Sequence, residues 1–168
     1  MEAERLKTRL GRARDKRVPF YLSRDEFLAV CRWKLGDQYG RTAHLLESSS
    51  EKRIKRTTQM AFGCKDRDVE FELGARLAIL GLLPGVGLGL ASAILALCYP
   101  KRCAALDASV WRALFDEQRS GFTPADYGRC LERLRELAGE AKSIDRKGGW
   151  TVQLAGYYAG RSGEERPA

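Results

Sequence analysis

The segment from Leu82 to Ala91 has the residue types that suit a phosphate group. It reads Leu-Leu-Pro-Gly-Val-Gly-Leu-Gly-Leu-Ala, and its glycines permit positive φ and a close approach of the backbone to a partner. We predict two helices joined by a turn here. The second helix begins at the turn, so its unpaired N–H groups and its dipole favour an anionic oxygen. The simpler interpretation is an ordinary glycine-containing turn between helices.

Asp107 is the second group that can do chemistry, and it begins the segment Asp-Ala-Ser-Val-Trp-Arg. Aspartate is a preferred N-cap, so the residue alone predicts the start of a helix. A carboxylate can also stabilise positive charge that develops on a substrate, and it can orient an attacking water. The two roles are compatible, because a capping aspartate is already oriented at the start of its helix.

The cysteines and the histidine favour no metal site. The five cysteines contain no C-x-x-C pair, so the spacing typical of zinc and iron–sulfur sites is missing. We expect free thiols in a reducing compartment. His44 is the one histidine and cannot build a histidine metal site alone, so we expect it to be structural.

The elements that position these groups are all helical. Ser23 followed by Glu26 predicts a capping box, Ser50 predicts another helix start, and Thr123-Pro124 combines a cap with an N1 proline. Convincing strand alternation and internal repeats are missing. The sequence therefore predicts an all-α protein with about eight helices.

Charge favours a polyanionic partner, and hydropathy leaves a membrane alternative open. The net charge is +8, and half of it lies in residues 1–17, a basic N-terminal helix that either contacts nucleic acid or is simply solvated.

The run from Leu77 to Pro100 has no charge and is long enough to span a bilayer. Because Pro84 and its neighbouring glycines interrupt it, two buried helices and a turn are the preferred interpretation. Because the N-terminus is charged, we expect no signal peptide, and we therefore expect a cytoplasmic, nucleoid-associated or nuclear protein that is not secreted.

Taken together, the hairpin and Asp107 resemble the helix-hairpin-helix DNA glycosylase superfamily, which includes endonuclease III and the adenine-mismatch and alkylpurine glycosylases. Its members have a Leu-Pro-Gly-Val-Gly hairpin, here residues 83–87, then a proline-containing loop, here Tyr99-Pro100, then Asp-x-x-Val-x-Arg, here residues 107–112. The resemblance covers roughly residues 23–115. It implies two small helical lobes with a cleft between them, formed by residues 18–160 with the hairpin at 82–91. We expect residues 161–168 to be a flexible tail.

The resemblance implies hydrolysis of the N-glycosidic bond of a damaged or modified base in double-stranded DNA, with Asp107 as the catalytic residue. The base must leave the stack, so an aromatic-lined pocket is expected. The residues expected to contact DNA are Leu83, Gly85, Val86, Gly87, Gly89, Lys101 and Arg112. The residues expected at the base pocket are Trp33, Lys34, Tyr39 and Trp111, and packing in the core is the alternative for each aromatic ring.

One departure from the family bears on the chemistry. Bifunctional members have a nucleophilic lysine two residues after the last hairpin glycine, where this chain has Gly89, eighteen residues before Asp107. The resemblance therefore implies a monofunctional enzyme without strand-cutting lyase activity. Lys101 and Lys34 are the amines that can substitute, although the sequence positions neither.

We expect no organic cofactor and no iron–sulfur cluster, and a monovalent cation at the hairpin backbone is the one ion left open. No membrane and no obligate protein partner are expected. The alternative function is a non-catalytic helix-hairpin-helix DNA-binding protein, in which Asp107 is only a cap. The sequence names no target base, and alkylated, oxidised, mismatched and deliberately modified bases all stay open.

Overall fold

The computed structural model describes residues 2–144 and 151–162. This part of the chain contains helices, turns and loops and no strand, which confirms the prediction of an all-α protein. Its nine α-helices are α1 (Glu2–Lys16), α2 (Arg24–Leu35), α3 (Tyr39–Leu46), α4 (Glu51–Gly63), α5 (Val69–Leu80), α6 (Leu88–Cys98), α7 (Ala108–Phe115), α8 (Pro124–Ile144) and α9 (Val152–Ser162). A 3-10 helix over Gly36–Gln38 joins α2 to α3.

Helix α6 is the centre of the fold. Every residue from Leu90 to Cys98 is buried, and α1, α2 and α5 pack against this helix. The uncharged run from Leu77 to Pro100 is therefore the end of α5, the turn and α6. Within the described residues, no helix has both the length and the apolar character needed to cross a membrane.

Side-chain caps begin the helices where the sequence predicts them. The Ser23 hydroxyl accepts the N–H of Glu26 at 3.2 Å, and the Glu26 carboxylate accepts the N–H of Ser23 at 2.9 Å. Ser50 caps α4 by accepting the Arg53 amide at 3.2 Å, and Thr123 accepts an amide of the first turn of α8. Each such cap contributes about 1 kcal/mol.

The basic N-terminal helix shares the core of the other helices. Leu6, Leu10 and Ala13 are buried on one face of α1, and the Arg14 guanidinium donates to the Cys98 carbonyl at 2.7 Å. The buried side chains of all nine helices form one continuous cluster. Helix α1 is therefore fixed against α2 and α6, with most of its cationic side chains on the outer face.

A buried ion pair within α5 is extended to the loop that follows α6. The Glu72 carboxylate lies 2.9 Å from the Arg76 guanidinium and accepts a hydrogen bond from the half-exposed Arg102 at 3.2 Å. Arg76 also donates to the Cys64 carbonyl at 2.9 Å and its side chain is 4% exposed. Because both charges of the Glu72–Arg76 pair are removed from water, loss of Glu72 would leave the Arg76 guanidinium buried without its carboxylate partner.

Helix α7 ends at Phe115, where Asp116 adopts the left-handed conformation with φ of 55°. Helix α9 continues through Ser162, so the predicted flexible tail overlaps it at residues 161–162. The remainder of that tail, residues 163–168, lies outside the described residues.

Candidate functional site

The predicted hairpin is a tight turn between α5 and α6. The N–H of Val86 donates to the Leu83 carbonyl at 3.1 Å, and Gly85 has a φ of +79°. A Cβ added at Gly85 would lie 3.0 Å from a Leu46 methyl group and 3.1 Å from the Leu45 Cβ. Glycine is therefore required at Gly85 both by its backbone conformation and by the close approach of α3.

The N-terminus of α6 is open at this turn. Gly87 is the N-cap, has no side chain to accept an amide, and a Cβ added to it would meet nothing within 4 Å. The first amide groups of α6 therefore have no capping side chain, which leaves them available to an external acceptor. The nearby Arg53 side chain donates to the Leu82 carbonyl at 2.9 Å, so a cationic side chain already lies at the hairpin backbone, where a monovalent cation was considered.

Leu83 and Val86, which we expected to contact DNA, point their side chains into the core, where they are 1% and 7% exposed. They support the turn from inside, so a partner can reach them only through the backbone. Gly89 is half-buried, and a Cβ there would lie 3.4 Å from the Leu106 carbonyl. Position 89, where the bifunctional helix-hairpin-helix glycosylases have a lysine, therefore faces the segment that leads into Asp107.

Both carboxylate oxygens of Asp107 accept a hydrogen bond. Its Oδ1 accepts the N–H of Val110 at 3.0 Å and so caps α7. Its Oδ2 accepts from Nζ of Lys34, at the C-terminal end of α2, at 2.7 Å. The Asp107 side chain is 41% exposed and the Lys34 side chain is 16% exposed. The structure thus brings together two residues that are 73 positions apart in the chain.

The electrostatics of this pair keep Asp107 ionised. Burial favours the neutral carboxyl group, but the charge and hydrogen bond of Lys34 and the backbone amides at the start of α7 outweigh it. The pKa of Asp107 is consequently lowered from its usual value. A cation and an anion therefore face each other at neutral pH.

The Lys34–Asp107 pair lies in the wall of a cavity of about 490 Å³. Helices α1, α2, α6, α7 and α9 contribute to the wall, and its aromatic residues are Trp33, Tyr157 and Tyr158. The rings of the two tyrosines meet edge to face with centroids 5.6 Å apart. This volume is in the range of small-molecule sites and suits a nucleoside-sized group.

Ser92 connects the hairpin to Asp107. Its hydroxyl donates to the Gly89 carbonyl at 2.8 Å and accepts the N–H of Leu106 at 2.9 Å, and the residue is fully buried. The N-terminus of α6 and the residue preceding Asp107 are therefore held at a fixed separation by one side chain.

The other predicted site residues lie away from the cavity. Trp111, expected at the base pocket, is 0% exposed and packs against Phe115 with centroids 4.3 Å apart, because its position on α7 turns it into the core. The Tyr39 hydroxyl donates to Glu47 at 2.7 Å, outside the cavity wall.

Two predicted DNA contacts are separated from the hairpin and from the cavity. Lys101 is exposed after the C-terminal end of α6, so the length of that helix, about 16 Å, lies between it and the hairpin. Arg112 is exposed on α7 beside Arg119 and does not line the cavity wall.

Sequence reasoning missed the aromatic residues of α9. Tyr157 and Tyr158 are about half exposed. The sequence feature that could have identified them is the pair of adjacent tyrosines, because neighbouring residues on a helix project their rings in different directions. It also missed Ser92, a lone hydroxyl in the otherwise apolar α6. A buried hydroxyl needs a hydrogen-bond partner, and that requirement is the signal that points to it.

Comparisons with protein-family models, with curated proteins and with solved structures find no match. The likeness to helix-hairpin-helix glycosylases therefore rests on the residues quoted above. Within residues 2–144 and 151–162, no group of three or more histidine, cysteine, aspartate or glutamate side chains is arranged to hold a metal ion, and all five cysteines are free thiols.

Proposed function

We propose that this protein is a DNA glycosylase that excises a damaged or modified base from double-stranded DNA, with Asp107 at the reacting sugar. One observation carries the proposal: the ionised Asp107 carboxylate lies in the wall of a cavity of about 490 Å³ and is linked through Ser92 to the open end of α6. The resemblance of the hairpin and of residues 107–112 to the helix-hairpin-helix glycosylases agrees with it.

The proposed chemistry follows from the charge of Asp107. Cleavage of an N-glycosidic bond develops positive charge on the sugar, and a fixed carboxylate stabilises that charge and orients a water molecule for attack. The cap of α7 fixes one oxygen of Asp107, so the carboxylate does not need to reorganise during the reaction. Its lowered pKa keeps it charged at the pH of a cell.

Two features support DNA as the substrate. The open amides at Gly87 suit a backbone phosphate oxygen, and the net charge of +8 favours a polyanion. The target base must leave the helical stack, and the rings of Trp33, Tyr157 and Tyr158 supply apolar surface in the cavity wall against which a flipped base can stack. We also propose that the helices form two small lobes with the DNA-binding cleft between them.

A base-release assay over a panel of modified duplexes tests the proposal. The wild-type protein should release at least one modified base, and Asp107→Asn, which preserves a capping side chain, should lower the release rate by about 100-fold or more. Asp68→Asn is the matched control, because Asp68 caps α5 outside the cavity. Release of no base by the wild type, or equal rates for the two variants, would overturn the proposal.

The second candidate function is DNA binding without catalysis. It is favoured by the fact that both oxygens of Asp107 are engaged, one by the cap and one by Lys34, which is a sufficient structural role. In that case Asp107→Asn lowers stability and leaves DNA affinity unchanged. A salt-dependent affinity in the wild type together with no base release would favour this candidate.

A further inference from the structure

We propose that the guanidinium of Arg53 supplies the positive charge at the hairpin, so that the turn binds a DNA phosphate without a monovalent cation. The inference rests on the DNA binding in the proposed function and concerns the ion that the sequence left open at the hairpin backbone. Its basis is one contact, in which the Arg53 side chain on α4 donates to the Leu82 carbonyl of the turn at 2.9 Å.

The carbonyl oxygens of this turn do not fit a monovalent cation. A cation at a backbone turn needs carbonyl oxygens that are free to coordinate it. The Leu82 carbonyl accepts from Arg53, and the Leu83 carbonyl accepts the N–H of Val86 at 3.1 Å. A guanidinium at one of these oxygens also repels a second positive charge in the same turn. The side chain of Arg53 therefore takes the place that the ion would have.

Arg53 lies close to the open amides of α6. The chain doubles back at the turn, because a Cβ added at Gly81 would lie 3.7 Å from the Val86 carbonyl. Leu82 and Gly87 each adjoin one of these two residues, and consecutive Cα atoms are about 3.8 Å apart. The guanidinium at the Leu82 carbonyl and the amides at Gly87 can therefore contact one phosphate group.

The remaining donors of Arg53 suit that phosphate. A guanidinium has five N–H donors in a planar fork, which matches the oxygens of a phosphate. One nitrogen donates to the Leu82 carbonyl, and within the part of the chain that the structure describes Arg53 forms no ion pair. Arg53 is exposed, and Leu82 beside it is 58% exposed, so a DNA strand can reach both.

Binding of an unmodified, fluorescently labelled duplex tests the inference. Anisotropy is measured at one ionic strength in potassium chloride and in tetramethylammonium chloride, whose cation is too bulky to be coordinated by the turn. The wild type should have the same affinity in both salts, within about 3-fold. A stronger dependence on potassium would overturn the inference.

Two variants with the same loss of charge separate the position of Arg53 from its contribution to net charge. Arg53→Gln should lower the affinity about 10-fold, and the slope of log affinity against log salt should fall by about 0.9, the value for one phosphate contact. Arg67→Gln is the matched control, because Arg67 is exposed in the α4–α5 loop, at the opposite end of α4. It should leave both quantities unchanged, and equal losses in the two variants would overturn the inference.

A double variant tests whether Arg53 and the amides at Gly87 hold the same phosphate. Arg53→Gln removes the guanidinium and Gly87→Ala covers the amides, so with one shared phosphate the double variant should bind clearly better than the product of the two single losses predicts. Losses that multiply would count against the inference. Both positions are exposed, and circular dichroism establishes that each variant is folded before affinities are compared.

The failure of this inference is distinguishable from failure of the proposed function. A wild type that binds the duplex and releases a base, but requires potassium or does not depend on Arg53, refutes only the role of Arg53. A wild type that does not bind the duplex refutes DNA as the substrate, and the inference with it.

Discussion

Replacement of Gly85 by alanine should separate the folding role of the hairpin from its binding role. Gly85 has a φ of +79°, and an added methyl group would lie 3.0 Å from Leu46 and 3.1 Å from Leu45. Gly87, two residues later, has a φ of −87° and open space where its Cβ would be. The same chemical change thus meets a crowded site in one case and an empty one in the other.

The expected cost at Gly85 has two parts. An L-residue in the left-handed region costs about 1–2 kcal/mol, and forcing a methyl group against packed side chains costs about 1–3 kcal/mol. The lower conformational entropy of unfolded alanine offsets roughly 0.4–1 kcal/mol. The net loss of about 2–4 kcal/mol corresponds to a fall in Tm of roughly 5–15 °C for a chain of this size.

Thermal unfolding followed by circular dichroism at 222 nm measures the stability of both variants, and fluorescence anisotropy with a labelled duplex measures binding. Gly87→Ala should lose less than about 1 kcal/mol of stability but should bind DNA roughly 10-fold more weakly, because its methyl group covers the open amides. A Tm for Gly85→Ala within about 2 °C of the wild type would refute the steric reasoning. Unchanged affinity in Gly87→Ala would refute the phosphate-binding role of the turn.

Three further predictions concern stability and thiol chemistry. Glu72→Ala leaves the buried Arg76 without its carboxylate partner, so urea unfolding should show a loss of about 3 kcal/mol, and a loss below about 1 kcal/mol would contradict the importance of that pair. Burial opposes the ionisation of Glu26, but hydrogen bonds from Arg17 and Ser23 lower its pKa in the folded protein. The stability that Glu26 contributes is therefore fully present above its unfolded pKa of about 4.3, and it is lost as the pH falls through the lower pKa of the folded state. Glu26→Gln should therefore flatten the dependence of unfolding free energy on pH between about 5 and 3, and an unchanged slope would count against it. Cys64, the one half-buried thiol, should react first with a thiol-specific disulfide reagent at neutral pH, because burial raises the pKa of the other four; its replacement by serine should remove the fast phase.

Local features of the fold were predictable because they depend on neighbouring residues. The capping box of Ser23 and Glu26, the cap of Ser50 and the turn at Gly85 are each set within a few positions of the chain. The all-α class followed from the same local patterns. The end of α7 at Phe115 was not predictable in the same way, because it depends on the left-handed φ of Asp116, which aspartate adopts more often than most residues but still uncommonly.

The candidate site was only partly predictable because it depends on packing. Lys34 and Asp107 are brought together by the way α2 lies against α6, and periodicity along one helix carries no information on that arrangement. Trp111 was expected at the pocket, yet the packing of α7 against α8 and α9 buries it completely in the core. The aromatic wall comes from Tyr157 and Tyr158 on α9, which lies beyond the part of the chain that resembles the glycosylases.

The two hydrogen bonds of the Ser92 hydroxyl determine where this protein can tolerate insertions and deletions. The hydroxyl bonds to the Gly89 carbonyl on one side and to the Leu106 amide on the other, so the spacing of hairpin and carboxylate does not depend on the length of the exposed part of the connection at Lys101. An insertion at that exposed position should leave the spacing intact, whereas the buried Cys103 and Ala104 should not tolerate one. A single residue added between Leu106 and Asp107 would shift the carboxylate by one position while the anchor stayed fixed.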